Sequence, residues 1–204
     1  MRAAIKQTDV YSFDELDDEA KERAIEWYRN GNLDYEWWDC TFEDVKEIGK
    51  ILGIQVDRIY FSGFSSQGDG ACFEGSYEYA KGSVKKIKEY APKDAELHKI
   101  ALGLQQIQRL HFYQLGATVK QKGHYMHAYC TDIYVCDEWE SSMINYSKSF
   151  VETEERVSEL LRDFMHWIYK RLETEYDWLQ SEEQVIEGIK ANELEFTEDG
   201  EIYY

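Results

Sequence analysis

The feature that most constrains this chain is a change of hydrophobic period at Ile54. Up to Gly53 the apolar residues recur at helical spacing. From Ile54 they come as IQVDRIYFSGF, a β-branched and aromatic run, and ACFEGSYEYA repeats that character after SSQGDG. Alternating β-formers on both sides of a dense cluster of turn residues predict a hairpin. The flanking segments are helical, so the chain must lay helices against a sheet whose strands are close in sequence.

Two helices are expected before the hairpin. SFDELDDEAKERAIEWYRNG places Leu16, Ala20, Ala24, Trp27 and Tyr28 on one stripe and stops at Asn30-Gly31. Ser12 stands three before Glu15, the spacing of a capping box, and acids fill the first turn. YEWWDCTFEDVKEIGKILG carries Trp38, Phe42, Val45, Ile48 and Leu52 at helical spacing, closed by Gly53. RAAIKQT at the start reads as a short strand.

After the hairpin, KGSVKKIKEYA suits a short helix that Pro92 terminates, and DAELHKIALGLQQIQRLHFYQL a longer one ended by Gly116. ATVKQKGHYMHAYCTDIYVC reads as a second strand pair turning at Gly123, with Tyr125, His127, Tyr129, Thr131, Ile133 and Val135 sharing a face. A long helix follows, with Val157, Leu160, Leu161, Phe164, Met165, Ile168, Leu172, Tyr176 and Leu179 on a persistent stripe. Ser181 and Gln184 suggest another capping box before a helix to Lys190, and Asp199-Gly200 marks a closing hairpin in NELEFTEDGEIYY. The expected fold is α+β: a mostly antiparallel sheet of about four or more strands packed with helices, with a long C-terminal helix. A single domain over 1–204 is expected, in which 151–190 packs on the core or mediates association.

The apolar fraction of 43% supplies a core, and an aromatic fraction of 15% leaves rings over for a binding surface. No run approaches membrane-spanning length, and MRAAIKQTDVYSF lacks the apolar stretch of a secretory leader, so a cytoplasmic location without membrane contact is expected. Cys40, Cys72, Cys130 and Cys136 form no CxxC pair and are expected to be free thiols.

The net charge of -18 is unevenly distributed. Residues 1–50 hold 14 acidic and 7 basic groups, 51–150 hold 11 of each, and 151–204 hold 16 and 5. The excess therefore belongs to the chain's two ends. Such a field repels nucleic-acid phosphates and favours basic partners, although acidic surfaces also serve solubility.

The turn-rich stretch FSGFSSQGDGACFEG, Phe61 to Gly75, is the first candidate for chemistry. It lacks the lysine and hydroxyl of an NTPase phosphate loop, and GxGxxG spacing fails because a strand follows instead of a helix. Asp69 stands nearly alone, which does not suit a calcium loop. Hairpin geometry is the simpler account, with Gly68 and Gly70 at positive φ and Asp69 bonding its own backbone. The enzymatic alternative brings Asp69, Gln67 and Glu74 to His124 or His127 at a sheet edge, as general base and hydrogen-bonding groups of a small hydrolase-like or nucleotide-binding site. No metal site is expected: His124, His127 and Cys130 are three apart, an offset that alternates faces along a strand. No cofactor is implied.

The second candidate is acidic and aromatic. Trp37 beside Asp34, Glu36, Asp39, Glu43, Asp44 and Glu47, with Glu155, Glu159 and Asp163 on the long helix, could hold a basic protein surface by charge and a buried ring. The competing account buries the tryptophans and solvates the acids. Surplus apolar residues on the long helix also suit a homodimer.

Phe61-Ser62-Gly63-Phe64-Ser65-Ser66-Gln67-Gly68-Asp69-Gly70-Ala71-Cys72-Phe73 resembles a motif of uncharacterised acidic proteins encoded by bacteriophages, and Phe13-Asp14-Glu15-Leu16 with Trp27-Tyr28 look similar too. The resemblance implies an inhibitor of host defence of the anti-CRISPR or anti-restriction type, a DNA mimic in the host cytoplasm whose partner is a basic, nucleic-acid-binding complex. It also leaves open an antitoxin-like or structural role acting through apolar contacts.

Overall fold

The structure, a computed structural model, describes residues 8–31, 33–137 and 148–204. The expected strand RAAIKQT lies almost wholly outside them. The chain divides into two compact units, Asp39–Glu173 and a second formed by Met1–Trp38 with Thr174–Tyr204.

The Asp39–Glu173 unit carries a four-stranded antiparallel sheet in the order β2 (Ile54–Phe61), β3 (Ala71–Tyr77), β4 (Leu115–Gln121) and β5 (Thr131–Asp137). Both expected hairpins are present, with Phe61 opposite Ala71 and Gln121 opposite Thr131. β3 and β4 pair over Gly75–Val119, Ser76–Thr118 and Tyr77–Ala117. Alternation assigns the faces. Ile54, Val56, Ile59, Leu115, Ala117 and Val119 are buried, whereas Gln55, Asp57, Arg58, Thr118 and Lys120 are exposed.

Helices α2 (Asp39–Leu52), α3 (Ser83–Tyr90), α4 (Ala95–Leu110) and α5 (Lys148–Leu179) supply the rest of the core. The α5 stripe read from sequence is buried from Val157 to Leu172, and Phe164 meets Phe73 of the sheet edge-on at 5.9 Å. Gly53 ends α2 at φ +85, where a Cβ would strike the Glu78 carbonyl at 2.0 Å; only glycine fits. Asp94 caps α4 by accepting from the Leu97 amide, and its other oxygen takes the Trp167 indole N–H at 2.7 Å. Among the described residues no helix is long and apolar enough to cross a membrane.

The end of α4 departs from expectation. The helix stops at Leu110 instead of running on toward Gly116, which belongs to β4. The stop comes from Phe112 and Tyr113, whose φ values of 52° and 65° are left-handed and strained for bulky residues. Gln108, wholly buried, holds that turn. Its backbone carbonyl accepts from the Tyr113 amide at 2.7 Å and from His111 at 3.1 Å. Its side-chain Oε1 accepts from the Leu115 amide, while Nε2 donates to the Leu115 carbonyl and the Tyr77 hydroxyl. The second difference lies between β4 and β5. Residues 122–130 are a loop ending in a short 3-10 turn at Ala128–Cys130, so the strand alternation expected from Tyr125 onward begins only at Thr131.

In the chain-end unit, β1 (Tyr11–Ser12) pairs antiparallel with β6 (Glu195–Phe196), and α1 (Asp18–Gly31) packs against α6 (Glu182–Ala191). Phe13, Leu16, Ala20, Ala24, Ile25, Val185, Ile189 and Phe196 form its apolar core. Ser12 does bind Glu15, its amide donating to Oε2 at 2.8 Å, and this holds the exposed Glu15 carboxyl below its ordinary range. The contact closes a single 3-10 turn; α1 starts later, capped by Asp17 accepting from the Ala20 amide. Ser181 caps α6 as expected, and Gly200 at φ +77 makes the closing turn. Trp27, expected on the buried stripe, is 37% exposed, and Ile25 takes its place in the core.

Replacing Gln108 by leucine strands the Leu115 amide and carbonyl and the Tyr77 hydroxyl in an apolar interior. A loss of about 2–4 kcal/mol is expected in chemical denaturation, against near-neutrality for a surface glutamine such as Gln55. Burial pushes the Tyr77 phenol and the Cys72 thiol each up to about 12, from ordinary values of 10 and 9. The unfolded chain loses these protons first, so their contribution to stability is intact below pH 9 and disappears as pH rises through about 12. Denaturant midpoints should fall steadily above pH 9.

Candidate functional site

Folding brings the chain's two acidic ends into one unit. Residues 1–38 and 174–204 together carry 20 acidic and 6 basic side chains, a net of -14, whereas 39–173 carry 21 and 17, a net of -4. Three of the six basic groups of the chain-end unit have partners within it. The Arg23 Nε donates to the Asp199 carbonyl, the Arg29 Nε to the Gln180 carbonyl, and Lys190 pairs with Asp14. Among the described residues of this unit that is the one ion pair. Asp17, Asp18, Glu19, Glu22, Glu26, Glu182, Glu183 and Glu187 are exposed on or beside α1 and α6.

A groove of about 570 Å³ gives that surface a shape. Glu22 and Glu26, one turn apart on α1, and Glu182 at the start of α6 line it, with Ile25 and Tyr176 as its apolar part. Arg29 and Gln180 close one side through a reciprocal exchange, the Gln180 Nε2 donating back to the Arg29 carbonyl. Among the described residues none of Glu22, Glu26 and Glu182 has a cationic partner. Like charges one turn apart on a helix cost about 0.2–0.5 kcal/mol, a cost that a bound cation would cancel.

The acidic residues singled out from the sequence are divided between the units. Asp34, Glu36 and Trp37 belong to the chain-end unit, where both acids are exposed. Trp37 is half-buried, edge-on to Trp38 at 5.6 Å and 5.9 Å from Tyr176, which makes it a packing residue. The others lie in the sheet unit. Asp39, Glu43 and Glu155 are exposed, while Asp44 accepts from the Tyr90 hydroxyl at 2.7 Å. Glu47 pairs with Lys50, Glu159 with Arg156 and Asp163 with Lys99. The α1 and α6 carboxylates were not singled out one by one, although the charge count of the chain ends pointed to them.

The Phe61–Gly75 hairpin is ordered by Asp69. Its Oδ2 accepts from the Ser65 and Ser66 amides at 3.0 and 2.6 Å, and Ser62 and Gly70 close the neck of the loop. Neither Gly68 nor Gly70 has positive φ, contrary to expectation. Gly70 is instead a close approach: a Cβ there would lie 3.1 Å from the Cα and Cδ2 of His127. The two hairpin loops therefore do meet, but Asp69 is turned into its own backbone and Gln67 is exposed. The Nδ1 of His127 accepts from the Tyr129 amide, and its ring packs among Tyr129, His166 and, through Tyr129, Arg162. Glu74 accepts from the Tyr60 hydroxyl, and His124 is exposed. Among the described residues no three His, Cys, Asp or Glu side chains are grouped to hold a metal, and all four cysteines are free.

The fold and this surface define an α+β protein whose candidate site is a charged face and groove. The chain belongs to the DUF8835 family, a domain of unknown function, whose family model matches residues 37–182. That span contains the whole four-stranded sheet with α2 to α5; residues 1–36 and 183–204, which carry most of the charge excess, lie outside it. No curated protein and no solved structure matches the chain.

Exchanging Asp69 for alanine removes the acceptor of two loop amides. A loss of about 1–2 kcal/mol is expected, with hydrogen exchange accelerated at Ser65 and Ser66 and little changed in the sheet.

Proposed function

We propose that the chain is a non-enzymatic acidic binding protein that masks a basic surface, of the kind that holds nucleic acid, on a partner protein. The observation that carries this reading is the assembly of both acidic chain ends into one unit of net charge -14, in which Arg23, Arg29 and Lys190 are engaged internally. A field of that density steers a basic partner during encounter and fades over about 8–10 Å at physiological salt, so association is fast and salt-sensitive. In the groove, a lysine or arginine stem lies along Ile25 and Tyr176 while its head meets Glu22, Glu26 and Glu182. The resemblance to phage-encoded acidic proteins makes a host defence protein the partner class.

The triple variant Glu22→Gln/Glu26→Gln/Glu182→Gln tests the proposal alongside the wild type, both immobilised and exposed to host lysate. Wild type should retain basic, nucleic-acid-binding proteins at low salt, release them at high salt, and release them to added duplex DNA. The variant should bind about tenfold more weakly. Retention that ignores DNA, salt and the three substitutions overturns the proposal.

A further inference from the structure

The strained turn at Phe112 and Tyr113 borders a cavity of about 310 Å³ on the face of the sheet opposite the buried one. Register places its floor: Gly116 opposite Cys136, and Ser76 opposite Thr118. Gly116 leaves that floor open, since a side chain there would project from a Cβ 3.4 Å from the Cys136 Sγ. Tyr79 and Tyr113 wall the cavity, their rings 4.5 Å apart and tilted by 36°. Gln114 lines it too, and its Oε1 is buried without a hydrogen-bond partner among the described residues.

We propose that this cavity binds a planar nitrogen heterocycle, a nucleobase presented as nucleoside or nucleotide, stacked on the tyrosine pair, with the Gln114 side chain turning its Oε1 out of its buried position to accept an N–H. Three independent features converge on that chemistry. The volume admits one or two fused rings and little more. A tyrosine pair of which Tyr113 is exposed and Tyr79 half-buried gives a planar ring a stacking surface without selecting its sequence or charge. A buried acceptor with no donor is a rare and costly arrangement, and turning it toward an N–H donor relieves that cost. The strain at Phe112 and Tyr113 fits the same account, because the left-handed turn held by Gln108 carries both Tyr113 and Gln114 to the cavity. A quaternary ammonium ion would use the tyrosines but leave Gln114 unsatisfied, and an apolar ligand would do the same. The neighbouring cavity, which shares Ser76, Glu78 and Tyr79, is also lined by Lys46, by Lys50 (paired with Glu47) and by Asp57, so a phosphate attached to the base would meet both cations and carboxylates in the adjoining space.

The site lies in the sheet unit and does not depend on the acidic chain ends. The full chain is titrated with adenosine, AMP, N6,N6-dimethyladenosine and choline, followed by tyrosine fluorescence and by NMR shift mapping. Saturable binding of adenosine or AMP is expected, with shifts at Tyr79, Tyr113, Gln114 and Cys136. Dimethyladenosine, which lacks the exocyclic N–H, should bind about tenfold more weakly. Gln114→Leu should erase that preference, and Gly116→Val should abolish binding, both with wild-type circular dichroism. A gain of affinity from adenosine to AMP assigns the phosphate to the lysine-lined space; equal affinity confines recognition to the base. No saturable binding at millimolar ligand, shifts elsewhere on the chain, a choline response in place of adenosine, or binding that both variants leave intact would each overturn the proposal. The shift map on wild type stands even where a variant fails to fold.

Discussion

The sheet unit depends on one buried amide. Gln108 sits in the last turn of α4 with no exposure, yet it satisfies the backbone on both sides of the turn that follows and donates to the hydroxyl of Tyr77 in the adjacent strand. An apolar residue there would fill the space but leave the Leu115 amide and carbonyl without partners at the start of β4. Because β4 is a central strand, its entry point sets the register with both β3 and β5. The left-handed backbone at Phe112 and Tyr113 persists because these hydrogen bonds over-determine it. The same turn presents Tyr113 and Gln114 to the open face of the sheet.

The chain-end unit rests on the opposite balance. Its apolar cluster is small, built on Phe13, Leu16, Ile25, Val185, Ile189 and Phe196, and it must hold together segments whose carboxylates repel. Only two residue pairs join β1 to β6. Arg23 and Arg29 tie α1 to the C-terminal segments and Lys190 ties α6 to Asp14, but among the described residues no salt bridge reaches the exposed acids on α1 and α6. Stability alone would favour interspersed lysines on those helices, at about 0.2–0.5 kcal/mol for each suitably spaced pair. Their scarcity is a physical reason to look for the counter-charge on another molecule.

Elements whose information is local were legible in the sequence. The Ile54 change of period, the Phe61–Ala71 turn, the Ser181 cap and the buried run from Val157 to Leu172 each announce themselves within a few residues. Features that depend on distant partners were not. The end of α4 is set by hydrogen bonds from Gln108, and nothing in LQQIQRLHFYQL distinguishes that glutamine from its neighbours. Gly70 resembles a turn glycine, but its reason is His127, which lies 57 positions further along and whose own segment was misread as strand. For the acidic surface the totals were readable at the chain ends, whereas the pairing of α1 with α6 that joins them is a tertiary fact. Glu47, Glu159 and Asp163, singled out from the sequence, are paired with Lys50, Arg156 and Lys99, whereas Glu22 and Glu26, which were not, have no cationic partner among the described residues.

The two recognition surfaces proposed above occupy different parts of one chain, and their physics differs. The proposed chain-end surface would act through a field that extends beyond contact and weakens with salt. The cavity beside Tyr79 and Tyr113 would act through stacking and one hydrogen bond, both short-ranged and nearly indifferent to ionic strength. The family match tracks this difference: residues 37–182 include the sheet, Gln108 and the cavity, while most of the uncompensated acid lies outside that span. A property of the matched domain is therefore to be sought in the cavity and the turn that shapes it. A property that depends on charge belongs instead to the ends this chain adds to that domain.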